Sequence, residues 1–132
     1  MTMDRKEFGN IAGAKVYLTL THDPFASVND DEGLTAKQIQ AWIEDKWWFV
    51  YAEVTIEHDG IVVGSYGYGG IEYGNFTYTD AFDEVRKEAW ISIEDIWSYV
   101  GEELKGEAMD RALENIEKLT KWREAVACLE SY

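Results

Sequence analysis

The amino-acid sequence predicts an α+β fold: a small antiparallel sheet, made of an N-terminal strand and a central β-hairpin, packed against about three helices, two of them long and C-terminal. Three patterns lead to this prediction. Residues 47–58 and residues 14–21 alternate apolar and polar side chains, as strands do, and after Thr79 the apolar spacing changes to three and four residues. The order β-α-β-β-α-α indicates a single domain over residues 1–132, with its helices on one face of the sheet.

The central hairpin is the clearest local feature of the sequence. Its strands are joined by Asp59-Gly60, a pair typical of a two-residue turn in which both central positions need positive φ. Folding at this turn predicts the following opposite pairs: His58 and Ile61, Ile56 and Val63, Val54 and Ser65, Ala52 and Gly67, Glu57 and Val62, Glu53 and Tyr66, and Tyr51 and Tyr68.

The segments before the hairpin are less regular. Residues 1–13 are interrupted by glycines, which favours a loosely held arm, and residues 22–33 form a predicted loop with an acidic cluster at its end. Residues 34–46 are expected to form a helix, because Thr35 and Gln38 have the spacing of a capping box.

Two long helices are predicted after the hairpin. The first runs from about 80 to 104, is capped by Thr79 or Asp80, and ends where Gly106 breaks it. The second runs from about 107 to 130 and is expected to bury the apolar residues Met109, Ala112, Leu113, Ile116, Leu119 and Val126.

The net charge of −14 is unevenly distributed. Residues 23–104 contain 18 acidic and four basic residues, whereas the remaining residues contain eight of each. Such a field repels nucleic acid and anionic membranes and attracts a basic partner, although an acidic surface can also serve solubility alone. We therefore expect no direct binding to nucleic acid or to a membrane.

The sequence offers little for catalysis. Its two histidines and single Cys128 lack the spacing of a metal site or of a nucleophile with its base. The glycine-rich run at 64–70 lies in a strand within acidic surroundings, which does not fit a phosphate loop. We predict no enzyme, catalytic residue, metal or cofactor. With no signal peptide, no apolar span and one cysteine, the chain is expected in the cytoplasm.

The first predicted C-terminal helix carries an acidic stripe. At about 100° per residue, four acids fall within about 40° of one another, opposite the apolar side, and Ile91 falls among them. Few basic residues accompany them, so the usual neutralising ion pairs are missing from this helix. A partner-binding surface is predicted here at Glu84, Glu88, Ile91, Asp95 and Glu102.

The second half of the predicted surface is the outer row of the hairpin. Tyrosines that alternate with glycine and serine are typical of recognition surfaces, because tyrosine offers a large contact area at low entropic cost. The residues predicted to bind a partner here are Glu53, Glu57, Asp59, Tyr66, Tyr68 and Glu72.

About a third of the chain resembles small acidic proteins encoded by bacteriophages. The residues that carry this resemblance are Trp42, Asp45, Trp47, Trp48, Val50, Gly60, Gly64 and Gly70-Ile71-Glu72. Such proteins include anti-CRISPR and anti-restriction inhibitors, several of which present carboxylates to a basic nucleic-acid groove. The resemblance implies a host-cell cytoplasmic location and transfers no site residues, since it lies in scaffold positions.

Three functions follow as hypotheses. The leading one is a non-enzymatic inhibitor that binds a basic surface of a host nuclease or CRISPR effector complex, partly by mimicking nucleic-acid charge. The second is a structural or adaptor module that oligomerises, or binds a protein, through the Tyr/Gly-rich hairpin. A homodimer with its acids outward would satisfy both. The third, a small hydrolase with Mg²⁺ or Ca²⁺, depends only on the cluster Asp30, Asp31 and Glu32.

Overall fold

The computed structural model describes residues 2–30, 33–79 and 85–130, which form one five-stranded antiparallel sheet with helices on both faces. The strands lie side by side in chain order. They are β1 (Thr2–Ile11), β2 (Ala14–His22), β3 (Trp47–His58), β4 (Ile61–Thr79) and β5 (Val85–Ile91). The helices are α1 (Ala36–Ile43), α2 (Ile93–Ile96) and α3 (Glu102–Glu130), with a 3₁₀ turn at Val28–Asp30 and a π-helical turn at Trp97–Gly101 that joins α2 to α3.

Several local predictions are confirmed. Strand β3 has the predicted bounds, and Asp59 and Gly60 adopt φ values of 52° and 77° in the turn that follows. Helix α1 begins with the predicted capping box. The Thr35 N–H donates to Gln38 Oε1 at 2.8 Å, and the Gln38 N–H donates to Thr35 Oγ1 at 3.3 Å.

The predicted hairpin register is correct only next to the turn. His58 lies opposite Ile61 and Glu57 opposite Val62, but an irregularity then places Ile56 opposite Gly64 instead of Val63. Every later predicted pair is therefore wrong by one residue: Val54 lies opposite Tyr66, Glu53 opposite Gly67, and Ala52 opposite Tyr68. A β-bulge adds one residue to one strand, so it moves the side chains beyond it to the other face of the sheet.

The predicted helix from about 80 to 104 is wrong. Residues 85–91 form β5, which pairs with β4, and helical structure starts only after Ser92. Spacings of three and four residues near Val85 and Ala89 favoured a helix, but pairing with the far end of β4 determines the structure there. The start signal that the sequence reading missed is the capping box formed by Ser92 and Asp95.

The break predicted at Gly106 is also wrong, because α3 continues through it to Glu130. Glycine within a helix costs about 1 kcal/mol. The side chains on either side of it, Leu104 and Ala108, are both fully buried, and their packing outweighs that cost. Apart from the single turn α2, the described residues therefore have one short helix, α1, and one long C-terminal helix, α3, in place of the predicted two long ones.

The N-terminal residues form an edge strand, which corrects the expectation of a loose arm. Strand β1 pairs with β2, placing Arg5 opposite Thr19 and Glu7 opposite Tyr17. The strand is also tied to distant parts of the chain, since Arg5 forms an ion pair with Glu57 at 2.9 Å and Lys6 one with Glu94 at 2.6 Å. The glycines that suggested a loose arm lie near its end, at positive φ.

Two apolar clusters occupy the two faces of the sheet. The larger packs the segment from α2 into α3 against β2, β3 and β4, and includes Leu18, Val54 and Leu104. The smaller packs α1 against Trp47, Phe49 and Phe76. Side chains alternate along β3, so Trp47 and Phe49 point to the face opposite Val50. The prediction that the helices lie on one face only is therefore wrong. We call the face under α3 the covered face and the other the open face.

Helix α3 lies close to the sheet at one glycine. A Cβ atom on Gly64 would clash with the Ala108 carbonyl oxygen and would lie 2.7 Å from the Ala112 nitrogen. Glycine is therefore required for this close approach. Beyond Ala112 the helix becomes more exposed, and the predicted burial of Leu113, Ile116 and Leu119 is wrong, since these side chains are 57%, 51% and 65% exposed. Among the helices of the described chain, none has the length and apolarity that a membrane crossing requires.

Candidate functional site

Part of one edge of β4 has no strand paired with it in the described residues. Strand β5 pairs only with Gly74–Thr79, so within the described residues no strand pairs with this edge between residues 61 and 73. At one end α3 reaches it, where the Asn115 Nδ2 group donates to the Val63 carbonyl at 2.9 Å. An unpaired sheet edge presents backbone donors and acceptors that another extended segment can use.

A groove of about 490 Å³ lies at the other end of this edge, between β4 and the chain that leaves β5 for α2. We call it the edge groove. It is lined by Tyr68, Gly69, Gly70, Ile71, Glu72, Ile91, Asp95, Ile96 and Tyr99. Three of these residues are isoleucines, two are tyrosines, two are acidic and none is basic, so an apolar lining is combined with negative charge.

A bulge at Gly69 and Gly70 shapes one side of the groove. Two residues of β4 lie opposite Tyr51 alone, and Gly70 has φ of 74°, which a glycine adopts without strain. Asp23 holds the bulge in place, because its Oδ2 accepts from the Gly70 N–H at 2.8 Å and its Oδ1 accepts from the Phe25 N–H at 3.0 Å. A Cβ atom on Gly69 would clash with the same carboxylate.

The two tyrosines of the groove come from the strand and from the π-helical turn. Tyr68 lies opposite Ala52 on the covered face, whereas Tyr99 is 81% exposed. Burial raises the pKa of the Tyr68 hydroxyl, and the negative charge of Glu103 raises it further. This tyrosine therefore stays neutral and able to donate a hydrogen bond at physiological pH.

Asp95 is both part of the groove and part of the helix start. Its Oδ2 accepts from the Ser92 N–H at 2.9 Å and from the Ser92 Oγ at 3.0 Å, while the side chain stays exposed. The cap fixes the carboxylate where β5 turns into α2. The negative charge at this position therefore belongs to a rigid part of the fold.

The structure brings together four of the eleven predicted partner-binding residues. Tyr68, Glu72, Ile91 and Asp95 all line the edge groove. Two of them were expected on the hairpin and two on a helical stripe, so the groove joins the two predicted halves of the surface. Their meeting point is the junction of strand and helix, which the predicted helix from 80 to 104 did not contain.

The rest of the acidic stripe is not assembled as predicted. Glu84 lies outside the described residues, Glu88 belongs to β5 opposite Thr77, and Glu102 is in the first turn of α3. The Glu102 carboxylate pairs with Lys105 at 2.9 Å. A single helical face that carries all these acids therefore does not exist, because strand β5 interrupts it.

The outer row of the hairpin is divided between the two faces of the sheet. Glu53 and Glu57 lie on the open face, where Glu57 pairs with Arg5, and Asp59 is exposed at the hairpin turn. Tyr66 lies on the covered face, with the Arg111 guanidinium 5.6 Å from the centre of its ring. The cause of this separation is the irregularity next to the hairpin turn, between Ile56 and Glu57, which shifts the register by one residue.

Sequence reasoning missed Tyr99, Glu103 and the two bulge glycines as members of this region. Tyr99 had a usable signal, because it falls about 60° from Glu84 on a helical projection and so borders the predicted acidic stripe. The bulge glycines and Glu103 had none, since their roles depend on the observed register and on the position of α3 over the sheet.

The histidine and cysteine side chains considered for metal binding or reactivity do not line the edge groove. Within residues 2–30, 33–79 and 85–130 no three His, Cys, Asp or Glu side chains are grouped to hold a metal ion. His58 Nδ1 lies 3.3 Å from Asp59 Oδ2 at the hairpin turn, and Cys128 is exposed near the end of α3. Of the acidic cluster in the first loop, Asp31 and Glu32 lie outside the described residues.

No family model, curated protein or solved structure matches this chain. The resemblance to small acidic bacteriophage proteins therefore stays a prediction. Function must be argued from the geometry and charge of the site itself.

Proposed function

We propose that this chain is a non-enzymatic binding protein whose edge groove takes a basic, extended segment of a protein partner, and that it acts as an acidic inhibitor of a nucleic-acid-targeting complex. One observation carries the proposal: an apolar groove with two tyrosines, two acids and no basic residue lies directly beside an unpaired strand edge.

Each part of the groove suits a different part of such a segment. An extended backbone can add to the edge of β4, as peptides add to sheets in other binding proteins. Arginine or lysine side chains gain from the carboxylate of Asp95 and from the ring of Tyr99, since cations are attracted to both. The isoleucines offer the apolar area that makes the contact more than an ion pair.

The charge of the whole chain supports the same kind of partner. A net charge of −14 speeds encounter with a basic surface and opposes encounter with nucleic acid. Surfaces rich in arginine and lysine are what nucleic-acid-handling complexes present to the phosphate backbone. In this proposal an acidic groove, in place of the predicted helical stripe, competes with nucleic acid for that surface.

The test measures binding of a fluorescent arginine-rich peptide to the full chain, with a glutamate-rich peptide of equal length as the ligand control. We expect binding of the arginine-rich peptide to weaken steeply as salt is raised. Glu103→Lys, next to Tyr68, is expected to weaken it about tenfold, and Tyr99→Ala to weaken it as well.

Glu53→Lys is the matched control, because it makes the same charge change on the open face of the sheet. It should change affinity much less than Glu103→Lys. Equal losses from the two variants would show that overall charge, and not the groove, binds the peptide. Salt-independent binding would contradict the proposal, and failure to displace DNA from any basic nuclease complex would contradict its inhibitory part.

A further inference from the structure

A second recess lies along the same edge of β4, at the end where α3 reaches the strand. Its volume is about 400 Å³, and we call it the polar pocket. Its lining comes from the start of β4 and from α3: Val62, Val63, Gly64, Ser65, Arg111, Glu114, Asn115 and Lys118. Two of these side chains are basic and one is acidic, whereas the edge groove has two acids and no base. The two ends of this edge therefore carry net charges of opposite sign.

The basic side chains of the polar pocket are exposed and available to a partner. No ion pair joins Arg111 or Lys118 to a carboxylate of the described residues. On a helical projection they fall about 60° and 80° from the middle of the buried face of α3, while Glu114 falls about 120° from it. The two bases therefore lie nearer to the edge of β4 than the acid does.

The spacing of the two recesses matches an extended chain. Gly64 lines the polar pocket and Tyr68 lines the edge groove, and both lie on the covered face, opposite Ile56 and Ala52. A strand that pairs with β4 would place two of its own residues, four positions apart and about 14 Å from each other, beside these two. Along α3, Glu103 and Arg111 are separated by a similar distance of about 12 Å.

We propose that the segment bound at this edge carries two opposite charges: an arginine or lysine in the edge groove and an aspartate or glutamate four residues later at the polar pocket. The segment runs antiparallel to β4, which is the direction that β3 and β5 also take and the more stable one for a ladder. This inference rests on the proposed function and adds to it the second charge and the direction of the segment.

The polar pocket adds selectivity to the edge groove. A segment that is basic throughout would place a positive charge beside Arg111 and Lys118, which costs affinity. Asn115 limits the paired stretch at this end, because its side chain already occupies the Val63 carbonyl. Backbone pairing is therefore expected from Gly64 towards the edge groove.

The test compares two fluorescent peptides of identical composition by their anisotropy on binding the full chain. Both are acetylated and amidated, so that the ends carry no charge. The base-first peptide has one arginine followed four residues later by one glutamate, among threonines and valines, and the acid-first peptide has these two residues exchanged. We expect the base-first peptide to bind about tenfold more tightly at low salt. Equal net charge makes this difference independent of long-range attraction.

The variant Lys118→Glu should act in opposite directions on two ligands. It should weaken binding of the base-first peptide about tenfold, while the arginine-rich peptide should bind at least as tightly as before. Arg123→Glu is the matched control, because it makes the same charge change about 140° around the helix. It should alter either affinity less than about twofold. Replacing the peptide's glutamate by glutamine should cost affinity in the native chain and none in Lys118→Glu.

The outcomes separate this inference from the proposed function. Equal affinities of the base-first and acid-first peptides, with the arginine-rich peptide still bound, would overturn this inference alone. Tighter binding of the acid-first peptide would contradict the antiparallel direction. Equal losses in Lys118→Glu and Arg123→Glu would show that overall charge, and not the polar pocket, reads the glutamate. If the arginine-rich peptide does not bind the native chain, the proposed function fails and this inference fails with it.

Discussion

The two halves of α3 use one apolar face in opposite ways. From Glu102 to Ala112 the face is buried on the sheet, and two of the residues that make the contact are alanines. From Leu113 onward the face carries leucine, isoleucine and tryptophan, yet it is exposed. Side-chain size therefore does not decide burial here. The difference teaches that a helical apolar pattern identifies a packing face, while the position of the sheet decides which part of that face is filled.

The largest expected effect comes from removing an equivalent leucine from each half. Leu104→Ala should lower the free energy of unfolding by about 3 kcal/mol, because the buried side chain leaves a cavity. Leu129→Ala, at low protein concentration, should change it by less than about 0.5 kcal/mol, because that side chain is already in water. Urea denaturation measures both. A cost for Leu129→Ala close to that of Leu104→Ala would show that residues 113–130 are covered within one chain.

The next prediction compares two glycines: Gly64, which lies under the first half of α3, and Gly106, which lies within that half. Gly64→Ala should destabilise the chain by about 2 kcal/mol, because the new methyl group meets the backbone of α3 at Ala108 and Ala112. Gly106→Ala should stabilise it by about 0.5–1 kcal/mol, since a Cβ atom there meets nothing within 4 Å and alanine favours a helix.

Thermal unfolding followed by circular dichroism measures this opposite pair of shifts. A stabilising Gly64→Ala would mean that α3 does not lie as close to β4 as 2.7 Å implies. A destabilising Gly106→Ala would mean that the first half of α3 has a bend at this residue that needs glycine.

The sequence predicted the parts of the fold that depend on neighbouring residues. The turn at Asp59-Gly60, the alternation of β3 and the capping box at Thr35 all follow from interactions within a few positions, and all are present. What failed depends on distant contacts. The role of residues 85–91 is decided by pairing with β4, and the break at Gly106 is prevented by packing on the sheet.

The candidate site was predicted in pieces and for different reasons. Tyr68 and Glu72 were placed on a hairpin surface and Ile91 and Asp95 on a helix, and the structure joins them at one groove. Two features could not be foreseen from local patterns. One is the irregularity next to the hairpin turn, which moves Tyr68 to the covered face. The other is the junction at Ser92 that brings Asp95 to β4.

The smallest expected effect compares one ion pair from each half. Lys105, 31% exposed, pairs with Glu102 at 2.9 Å, and Lys121, 72% exposed, pairs with Glu117 at 3.0 Å. Lys105→Gln should lower the free energy of unfolding by about 0.5 kcal/mol and Lys121→Gln by about 0.2 kcal/mol or less, because water screens the more exposed pair. Urea denaturation measures both costs at low and at high salt, and the difference between them should disappear at high salt. A larger cost for Lys121→Gln than for Lys105→Gln would mean that Lys121 has a further charged neighbour within the same chain besides Glu117.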